Sequence, residues 1–228
     1  ASTWGLMLTG HLVSLDTDIT DKTEGWVKTL TARMGEPLIR TAVMQAMRIM
    51  GGQYVLGRTI QEGLKQGIKL NGVNTRFSFD MLGEGARTDA DALVYYRAYS
   101  DAIDQIGAAT PKTLVDVKST DGISVKLSAL HCRYYFSHHQ SVMEELLPRI
   151  KQLCLQAKSY NIGLSIDAEE AYRLEISLDI FEALACDPDL DDWQGLGFVL
   201  QAYQKRAPDT AKWLIALAQK TNRRIMVR

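Results

Sequence analysis

The chain has 228 residues, of which 46% are hydrophobic and 23% charged, with 26 Lys and Arg against 27 Asp and Glu. This balance is typical of a globular protein with enough apolar material for one domain or two small ones. A net charge of −1 predicts no attraction for nucleic acid, no apolar run reaches the roughly 20 residues of a membrane span, and three cysteines at irregular spacing favour a reducing, cytosolic compartment.

The first 73 residues are predicted to form a helical segment that precedes the main domain. Apolar residues recur there at helix-like intervals, with breaks expected at Gly35-Glu36-Pro37 and Gly51-Gly52. A further helical stretch opens at Thr59, whose hydroxyl suits an N-cap. We therefore assign residues 1–73 to a helical arm and residues 74–228 to a second domain.

From residue 74 onward, short β-like runs alternate with helical segments. The predicted strands are Arg76–Leu82, Ile123–Leu127, Gly163–Asp167, Gly197–Gln201 and Arg224–Arg228. The predicted helices are Asp89–Ile106, Ser141–Tyr160, Glu169–Ala185 and Asp209–Thr221. The alternation implies a parallel sheet with right-handed crossovers, in either a (β/α) barrel or a doubly wound open sheet.

The residue pattern inside the strands favours the barrel. Ile123 and Val125 alternate with Ser124 and Lys126 in the second strand. Inner strands of a doubly wound sheet are covered on both faces and are apolar throughout, whereas a barrel can have a partly polar interior. We predict an α/β fold, a (β/α)8 TIM-like barrel of which about the first five strands are present. Because the chain stops within an apolar strand, we expect it to be part of a longer polypeptide.

A polar or charged side chain stands near the carboxyl end of every predicted strand: Asp80, Lys126, Asp167, Gln201 and Arg228. Barrel active sites lie at this end, and an unpaired buried charge is costly, which favours an active site. The alternative is purely structural pairing, such as Lys126 with Asp167 or Arg228 with Asp80.

The side-chain chemistry suggests roles for these groups. Lys126 suits a Schiff-base nucleophile or a fixed cation for a substrate carboxylate. Arg228 suits bidentate recognition or a hydrogen bond to a heterocycle nitrogen, and Gln201 suits an imide edge. Asp80 and Asp167 suit orienting the cations or handling a proton.

No metal site is expected from the sequence. The histidines of the middle region have no carboxylate partners at ligand spacing, and this set comprises His131, His138 and His139. A solvated loop and helix start accounts for them.

Several stretches carry a combined family signature: Arg76–Glu84, Ile123–His131, Ile166–Glu170, Gln201–Arg206 and, upstream, Met34–Pro37 through Met47–Gly51. In combination they resemble the proline dehydrogenase domain of the bacterial bifunctional proline utilization A proteins, over essentially the whole chain. The resemblance implies a flavoprotein that holds FAD in a distorted (β/α)8 barrel. It implies oxidation of L-proline to 1-pyrroline-5-carboxylate, the first step of proline catabolism to glutamate, by hydride transfer to the flavin.

The resemblance also implies partners and a location. Electrons would pass to a membrane quinone, so the protein would be cytoplasmic and peripheral to the inner membrane. It would be part of a bifunctional enzyme with an aldehyde dehydrogenase domain. The oligomeric state, a homo-oligomer included, the preference among proline analogues and the route to the quinone stay open.

Site residues carry over one by one from the resemblance. Lys126 would bind the proline carboxylate, with Asp80 and Glu84 as supports beside it. Arg228 would contact the redox-active ring nitrogen of the flavin, Gln201 its pyrimidine edge, and Asp167 would lie in the active site near the flavin. The catalytic set implied is Lys126, Asp167 and Arg228.

The chain departs from the family pattern in two ways. Cys132 replaces a common Pro in the loop after Lys126, where we expect a small effect. The family's segments beyond Arg228, including later FAD contacts and an arginine pair that clamps the carboxylate, are absent. We therefore expect these 228 residues alone not to hold FAD.

Two other functions are compatible with the residues. One is a Schiff-base aldolase barrel that uses Lys126 as its nucleophile. The other is a non-catalytic binding module whose ion pairs are only structural.

Overall fold

A computed structural model describes residues 40–70 except 42, 75–113 except 84, and 116–228. The chain divides into two compact units, Ala1–Leu56 and Gly57–Arg228. In the first unit, residues 43–54 are helical without the break predicted at Gly51-Gly52. One glycine costs a helix only about 1 kcal/mol, which is too little to end it. The predicted break at Gly35-Glu36-Pro37 lies outside the described residues, and the domain boundary after residue 73 stays a prediction.

The second unit contains a sheet of five parallel strands in the order β1-β2-β3-β4-β5. The strands are β1 Ser78–Asp80, β2 Gly122–Val125, β3 Leu164–Ile166, β4 Leu196–Phe198 and β5 Met226–Val227. Spatial order follows chain order, whereas a doubly wound sheet reverses direction at a switch point. The uninterrupted order is that of consecutive barrel strands and confirms the predicted fold as a partial barrel.

All five strands fall where they were predicted, and each is shorter. The predicted second strand ran to Leu127, but β2 ends at Val125 and Leu127–Ala129 forms a 3₁₀ turn. The polar residues Lys126, Asp167, Gln201 and Arg228 are all among those that lie beyond the carboxyl ends of the observed strands.

In the described part of the second unit, one longer helix precedes β1 and four lie between consecutive strands: α1 Ile60–Leu70, α2 Asp89–Ala109, α3 Leu147–Tyr160, α4 Leu174–Ala185 and α5 Ala207–Lys220. A helical turn, His139–Ser141, and a π-helical segment, Val142–Leu146, lead directly into α3. Short 3₁₀ turns also occur at Val117–Ser119, Phe136–His138, Ala171–Arg173 and Pro188–Leu190. None of the helices in the described part of the chain is long and apolar enough to cross a bilayer.

Side-chain caps explain where α1 and α2 begin. The predicted cap Thr59 accepts a hydrogen bond from the Glu62 N–H at 3.2 Å. Thr88 and Asp91 form a capping box at the start of α2, each side chain accepting from the other residue's backbone N–H. Hydrogen bonding lowers the pKa of the Asp91 carboxyl, and the bond that involves the Thr88 side chain has the largest effect.

The apolar core lies between the sheet and the helices. The predicted stripe of Leu146, Ile150, Leu153 and Ala157 is fully buried. Helices α2 and α3 also approach closely, since a Cβ on Gly107 would lie 2.2 Å from the Tyr160 ring. This packing holds the strands from the helical side. The polar residues lie at the carboxyl ends of the strands.

Candidate active site

Four charged residues predicted from the sequence meet at the carboxyl ends of the strands. Asp80 is the last residue of β1, and Lys126, Asp167 and Arg228 directly follow β2, β3 and β5. Because Asp80 pairs in register with Ser124 and Val125 with Ile166, the charged groups come to similar heights at one edge.

These residues form an ion-paired chain of alternating sign, Asp80–Lys126–Asp167–Arg228. The Lys126 ammonium lies 2.7 Å from Asp80 Oδ1 and 3.0 Å from Asp167 Oδ2. Asp167 Oδ1 accepts a hydrogen bond from Arg228 Nη2 at 2.8 Å. One carboxylate therefore joins the two cations, and we call these four residues the charged chain.

Burial differs along the charged chain. The Asp167 side chain is 11% exposed, whereas that of Arg228 is 47% exposed. Arg228 also donates to the hydroxyl of fully buried Ser124 at 3.3 Å. The central carboxylate is thus largely buried, whereas the guanidinium at the end of the charged chain is half-exposed.

The backbone holds two of these residues in place. The Lys126 N–H donates to the hydroxyl of buried Tyr99 on α2 at 3.1 Å. The Asp167 N–H donates to the Val125 carbonyl at 2.9 Å, which is the last rung between β2 and β3. Backbone hydrogen bonds therefore hold both partners of the Lys126–Asp167 ion pair in place.

The remaining predicted residues differ in position. Gln201 lies three residues beyond β4, where its amide oxygen accepts from Gln204 Nε2 at 2.9 Å. It lines clefts beside Lys126 and Asp167 but does not join the charged chain. Glu84 lies outside the described residues. The structural pairing of Lys126 with Asp167 occurs, while Arg228 pairs with Asp167 and not with Asp80.

A cleft of about 580 Å³ opens beside Lys126. Its lining includes Ser128, His131, Tyr134, Glu169 and Gln201. The volume falls within the roughly 300–1,000 Å³ that small-molecule sites occupy. A larger cleft of about 1030 Å³ runs along β5 and α5, and none of the four residues of the charged chain lines it.

Two titratable side chains in this cleft are neutral. Burial is the largest influence on His131 and lowers the pKa of its imidazole, despite the opposing effect of Glu145. A hydrogen bond to Asp89, 3.2 Å away, raises the pKa of the Cys132 thiol. The charged side chains that line the cleft include Lys126 and, on another part of its wall, Glu169 and Arg173.

Two of the three histidines have carboxylate partners, which lie outside the ligand spacing considered in the sequence. His131 Nε2 lies 3.5 Å from Glu145 Oε2, and His139 Nε2 lies 3.0 Å from Asp179 Oδ2. Each partner is distant in sequence or on the next helix, so spacing alone did not reveal it. These are pairs, and within the described ranges no three His, Cys, Asp or Glu residues gather as metal ligands.

Sequence reasoning missed a second ion pair at the cleft wall. Glu169 Oε1 accepts from the Ser128 N–H at 3.0 Å, and Glu169 Oε2 lies 2.5 Å from Arg173 Nη1. Burial lowers the pKa of the Arg173 guanidinium, but the nearby groups Glu169, Glu170 and Tyr172 together outweigh it, so the net pKa is raised. An acidic pair directly after a strand, with Arg four residues later, was the available signal.

The Arg173 guanidinium also lies over an aromatic cluster. Its carbon is 5.3–5.5 Å from three ring centroids, those of Tyr134, Tyr135 and Tyr172. Cation–π contacts of this kind stabilise a partly desolvated cation.

Comparison with known proteins identifies relatives of this chain. The family model described as "Proline dehydrogenase" matches residues 64–228. The bifunctional protein PutA of Escherichia coli K12 is 49% identical over 228 residues, which is all of this chain and 17% of that protein. PutA of Rhizobium meliloti is 50% identical over the whole chain and 18% of its own length. The chain thus spans less than a fifth of the curated relatives it matches.

Solved structures agree in fold. A mutant of Bradyrhizobium japonicum proline utilization A matches 95% of this chain and 22% of its own, with a TM-score of 0.71 and 45% identity. Proline utilization A from Bdellovibrio bacteriovorus matches 92% of this chain and 23% of its own, with a TM-score of 0.77 at 19% identity. The second likeness is one of fold alone.

A second family model overturns one expectation. The model described as "DNA-binding domain of Proline dehydrogenase" matches residues 1–54, which is at odds with the prediction that this chain binds no nucleic acid. The prediction came from a net charge of −1 over 228 residues. Residues 1–54 themselves carry five Lys and Arg against five Asp and Glu, so net charge does not reveal this match in the matched segment either.

Proposed function

The chain belongs to the proline dehydrogenase family, and on that premise we propose that it builds part of an FAD-dependent site that oxidises L-proline to 1-pyrroline-5-carboxylate. The observation that carries this proposal is the charged chain at the carboxyl ends of β1, β2, β3 and β5. Positively charged groups fixed beside a cleft suit a small substrate with a carboxylate.

Lys126 is proposed to hold the proline carboxylate. Two carboxylates, Asp80 and Asp167, fix its ammonium from either side, so the cation does not have to be immobilised when substrate binds. Holding the carboxylate orients the ring carbon next to nitrogen for reaction, which is the main contribution that positioning makes to such a step. Glu84 is kept in the proposal as a further support of Lys126.

Arg228 and Gln201 have the side-chain chemistry that would hold a flavin. FAD, when bound, supplies the hydride acceptor. Among the described residues, both bonds of Arg228 come from Nη2, which leaves Nε and Nη1 to donate to a ring nitrogen. The half-buried amide of Gln201 offers donors and an acceptor to an imide edge. Asp167 then has the role of keeping Arg228 and Lys126 at a constant separation.

We propose that the site operates within a bifunctional protein that also carries an aldehyde dehydrogenase domain. Support comes from the name of the relatives, bifunctional protein PutA, at 49–50% identity over the whole chain. Transfer of the electrons to a membrane quinone, and with it a cytoplasmic protein at the inner membrane, belongs to the same proposal and is supported by the resemblance of the site motifs.

The Schiff-base alternative is disfavoured by the charged chain. An ammonium paired with two carboxylates lacks the lone pair that a nucleophilic lysine needs. Trapping of Lys126 by borohydride with a carbonyl substrate would nevertheless revive that alternative.

The proposal is tested by the visible spectrum of the full-length gene product, recorded anaerobically before and after L-proline. We expect a bound flavin band that bleaches with L-proline. D-proline serves as the matched control, since it carries the same groups with the opposite hand and should bleach the band far more slowly. A flavin band indifferent to L-proline would contradict the substrate, and a full-length protein without flavin would contradict the cofactor.

A further inference from the structure

We propose that Glu169 is a positioning residue that sets the distance between Lys126 and Asp167 by clamping the loops that follow β2 and β3. The inference rests on the proposed function, because its main readout is the binding of L-proline. It assigns a role to a buried ion pair that the charged chain itself does not contain.

The clamp has a regular geometry relative to the charged chain. Ser128 lies two residues after Lys126, and Glu169 lies two residues after Asp167. The last ladder bond, from the Asp167 N–H to the Val125 carbonyl, is 2.9 Å long. Beyond it the Ser128 N–H donates to Glu169 Oε1 at 3.0 Å. The Lys126–Asp167 ion pair is thus enclosed between one backbone rung and one side-chain rung.

Ser128 also bonds to the loop after β1. The Ser128 carbonyl accepts a hydrogen bond from the Ala86 N–H at 3.0 Å. Both backbone groups of Ser128 are therefore engaged, one toward Glu169 and one toward the loop that follows Asp80. The three loops that carry Asp80, Lys126 and Asp167 meet at this residue.

Glu169 is itself rigidly held. Its side chain is 9% exposed, and its second oxygen lies 2.5 Å from Arg173 Nη1. The Arg173 guanidinium is fixed in turn by the three tyrosine rings around it. A buried carboxylate with both oxygens bonded has little freedom, so it can transmit a defined position to Ser128.

A carboxylate is required at residue 169, and an amide is not equivalent. Glu169 accepts from two donors, the Ser128 N–H and the Arg173 guanidinium. A glutamine has one acceptor oxygen, and its NH₂ group would face one of these donors. Glu169→Gln must therefore lose one of the two bonds while the size of the side chain stays the same.

The adjacent Glu170 provides a matched control. It pairs with the same guanidinium at 3.1 Å, but its side chain is 57% exposed. Glu170→Gln changes the same net charge beside Arg173 and leaves the bond to Ser128 intact.

The test measures steady-state proline oxidation by the full-length gene product with Glu169→Gln or Glu170→Gln. For Glu169→Gln we expect KM for L-proline to rise about tenfold with kcat changed less than threefold, since weaker holding of the carboxylate is a loss of binding in ground and transition states alike. Glu170→Gln should stay within about twofold of wild type in both constants. A purely structural role would lower the amount of active enzyme and leave KM unchanged.

Hydrogen exchange provides a readout that does not depend on turnover. The Ser128 amide should exchange faster in Glu169→Gln than in wild type or Glu170→Gln, because it loses its acceptor. If Glu169→Gln does not fold, Arg173→Lys replaces it, and a rise in KM in the same direction is expected. An unchanged KM in a folded Glu169→Gln or Arg173→Lys enzyme would overturn the inference, whereas a wild-type protein that does not oxidise proline would overturn the proposed function.

Discussion

The two ends of the sheet differ in their polar side chains: several bond the backbone at the amino ends, and four form one ion-paired chain at the carboxyl ends. At the amino ends they bond to the backbone: Trp193 Nε1 donates to the Ile162 carbonyl at 3.1 Å, and Arg223 Nη1 donates to the Trp193 carbonyl at 3.2 Å. Asp121 Oδ1 likewise accepts from the Phe77 N–H at 2.8 Å. At the carboxyl ends the side chains of the charged chain bond to one another.

This difference separates stability from chemistry. A side chain that hydrogen-bonds to a buried backbone group stabilises the fold, because buried peptide groups without partners are costly. Side chains that satisfy each other concentrate charge at one place, and a ligand can compete for that charge. Barrel enzymes divide their two faces in this way, with chemistry at the carboxyl ends of the strands.

The largest expected effect is a loss of stability at the amino end. Trp193 is almost fully buried, and Trp193→Ala removes its ring and leaves the Ile162 carbonyl without its donor. We expect a loss of about 3–5 kcal/mol in the free energy of unfolding, measured by urea titration of the full-length gene product.

Half-buried Trp213 on α5 is the control, and Trp213→Ala should cost clearly less. The folded fraction of Trp193→Ala should keep the KM for L-proline of wild type. A large change in that KM, with stability intact, would mean that the amino end also serves the chemistry and would remove the contrast between the ends.

The second effect is a loss of activity at the carboxyl end. Lys126→Ala removes the cation that joins Asp80 and Asp167. We expect kcat/KM for L-proline to fall at least about 100-fold, which corresponds to about 2.7 kcal/mol of transition-state stabilisation. Steady-state kinetics and a thermal melt of the same preparations measure the two quantities together.

Lys118→Ala is the matched control at the amino end, since this exposed lysine pairs with Asp116 at 3.5 Å. It should change kcat/KM less than about twofold. If Lys126→Ala instead unfolds the protein and a folded fraction keeps its turnover, the charged chain is structural, as the binding-module alternative requires.

The order of the elements and the proximity of four candidate site residues could be predicted because they depend on local pattern. Period-2 alternation placed the strands, and parallel strands must bring their carboxyl ends to one edge. Asp80, Lys126, Asp167 and Arg228 occupy those ends, so the topology made them neighbours without any knowledge of side-chain packing.

The rest of the site depends on contacts between distant segments. The partner of Glu169 is the backbone N–H of Ser128, 41 residues away, and a backbone group leaves no trace in the sequence. The bond from the Lys126 N–H to the Tyr99 hydroxyl is hidden for the same reason. Gln201 was expected within a strand, but β4 ends at Phe198 and the amide turns to its neighbour Gln204.

Arg228→Lys tests whether the Arg228 end of the charged chain binds the flavin. The guanidinium bonds both Asp167 and Ser124, and a lysine cannot reproduce its planar fork. We expect FAD affinity to fall about tenfold, or about 1.4 kcal/mol, measured by flavin titration of the apoprotein. Arg224→Lys at the amino end, where the backbone N–H bonds Gln194, should leave FAD affinity unchanged. Equal losses in both variants would contradict the assignment of Arg228 to the flavin.

The smallest expected effect concerns His131, a buried neutral group among the charges of the carboxyl end. Its Nδ1 accepts from the Arg133 N–H at 3.1 Å, and Glu145, Arg149 and Asp89 lie around the ring. Burial lowers the pKa of this histidine below its ordinary value of 6.5, so the folded state binds its proton less readily than the unfolded chain. The contribution to stability is therefore present above pH 6.5 and is lost as the pH falls through the folded-state pKa.

His131→Asn keeps an acceptor for the Arg133 N–H and removes the titration. Between about pH 7.5 and about pH 5.5, wild type should lose more free energy of unfolding than this variant, by a slope of at most about 1.4 kcal/mol per pH unit for one proton. Urea titrations at several pH values measure the difference. If the variant loses as much free energy of unfolding as wild type over this pH range, groups other than His131 cause the loss. The imidazole would then contribute nothing measurable to the pH dependence of stability.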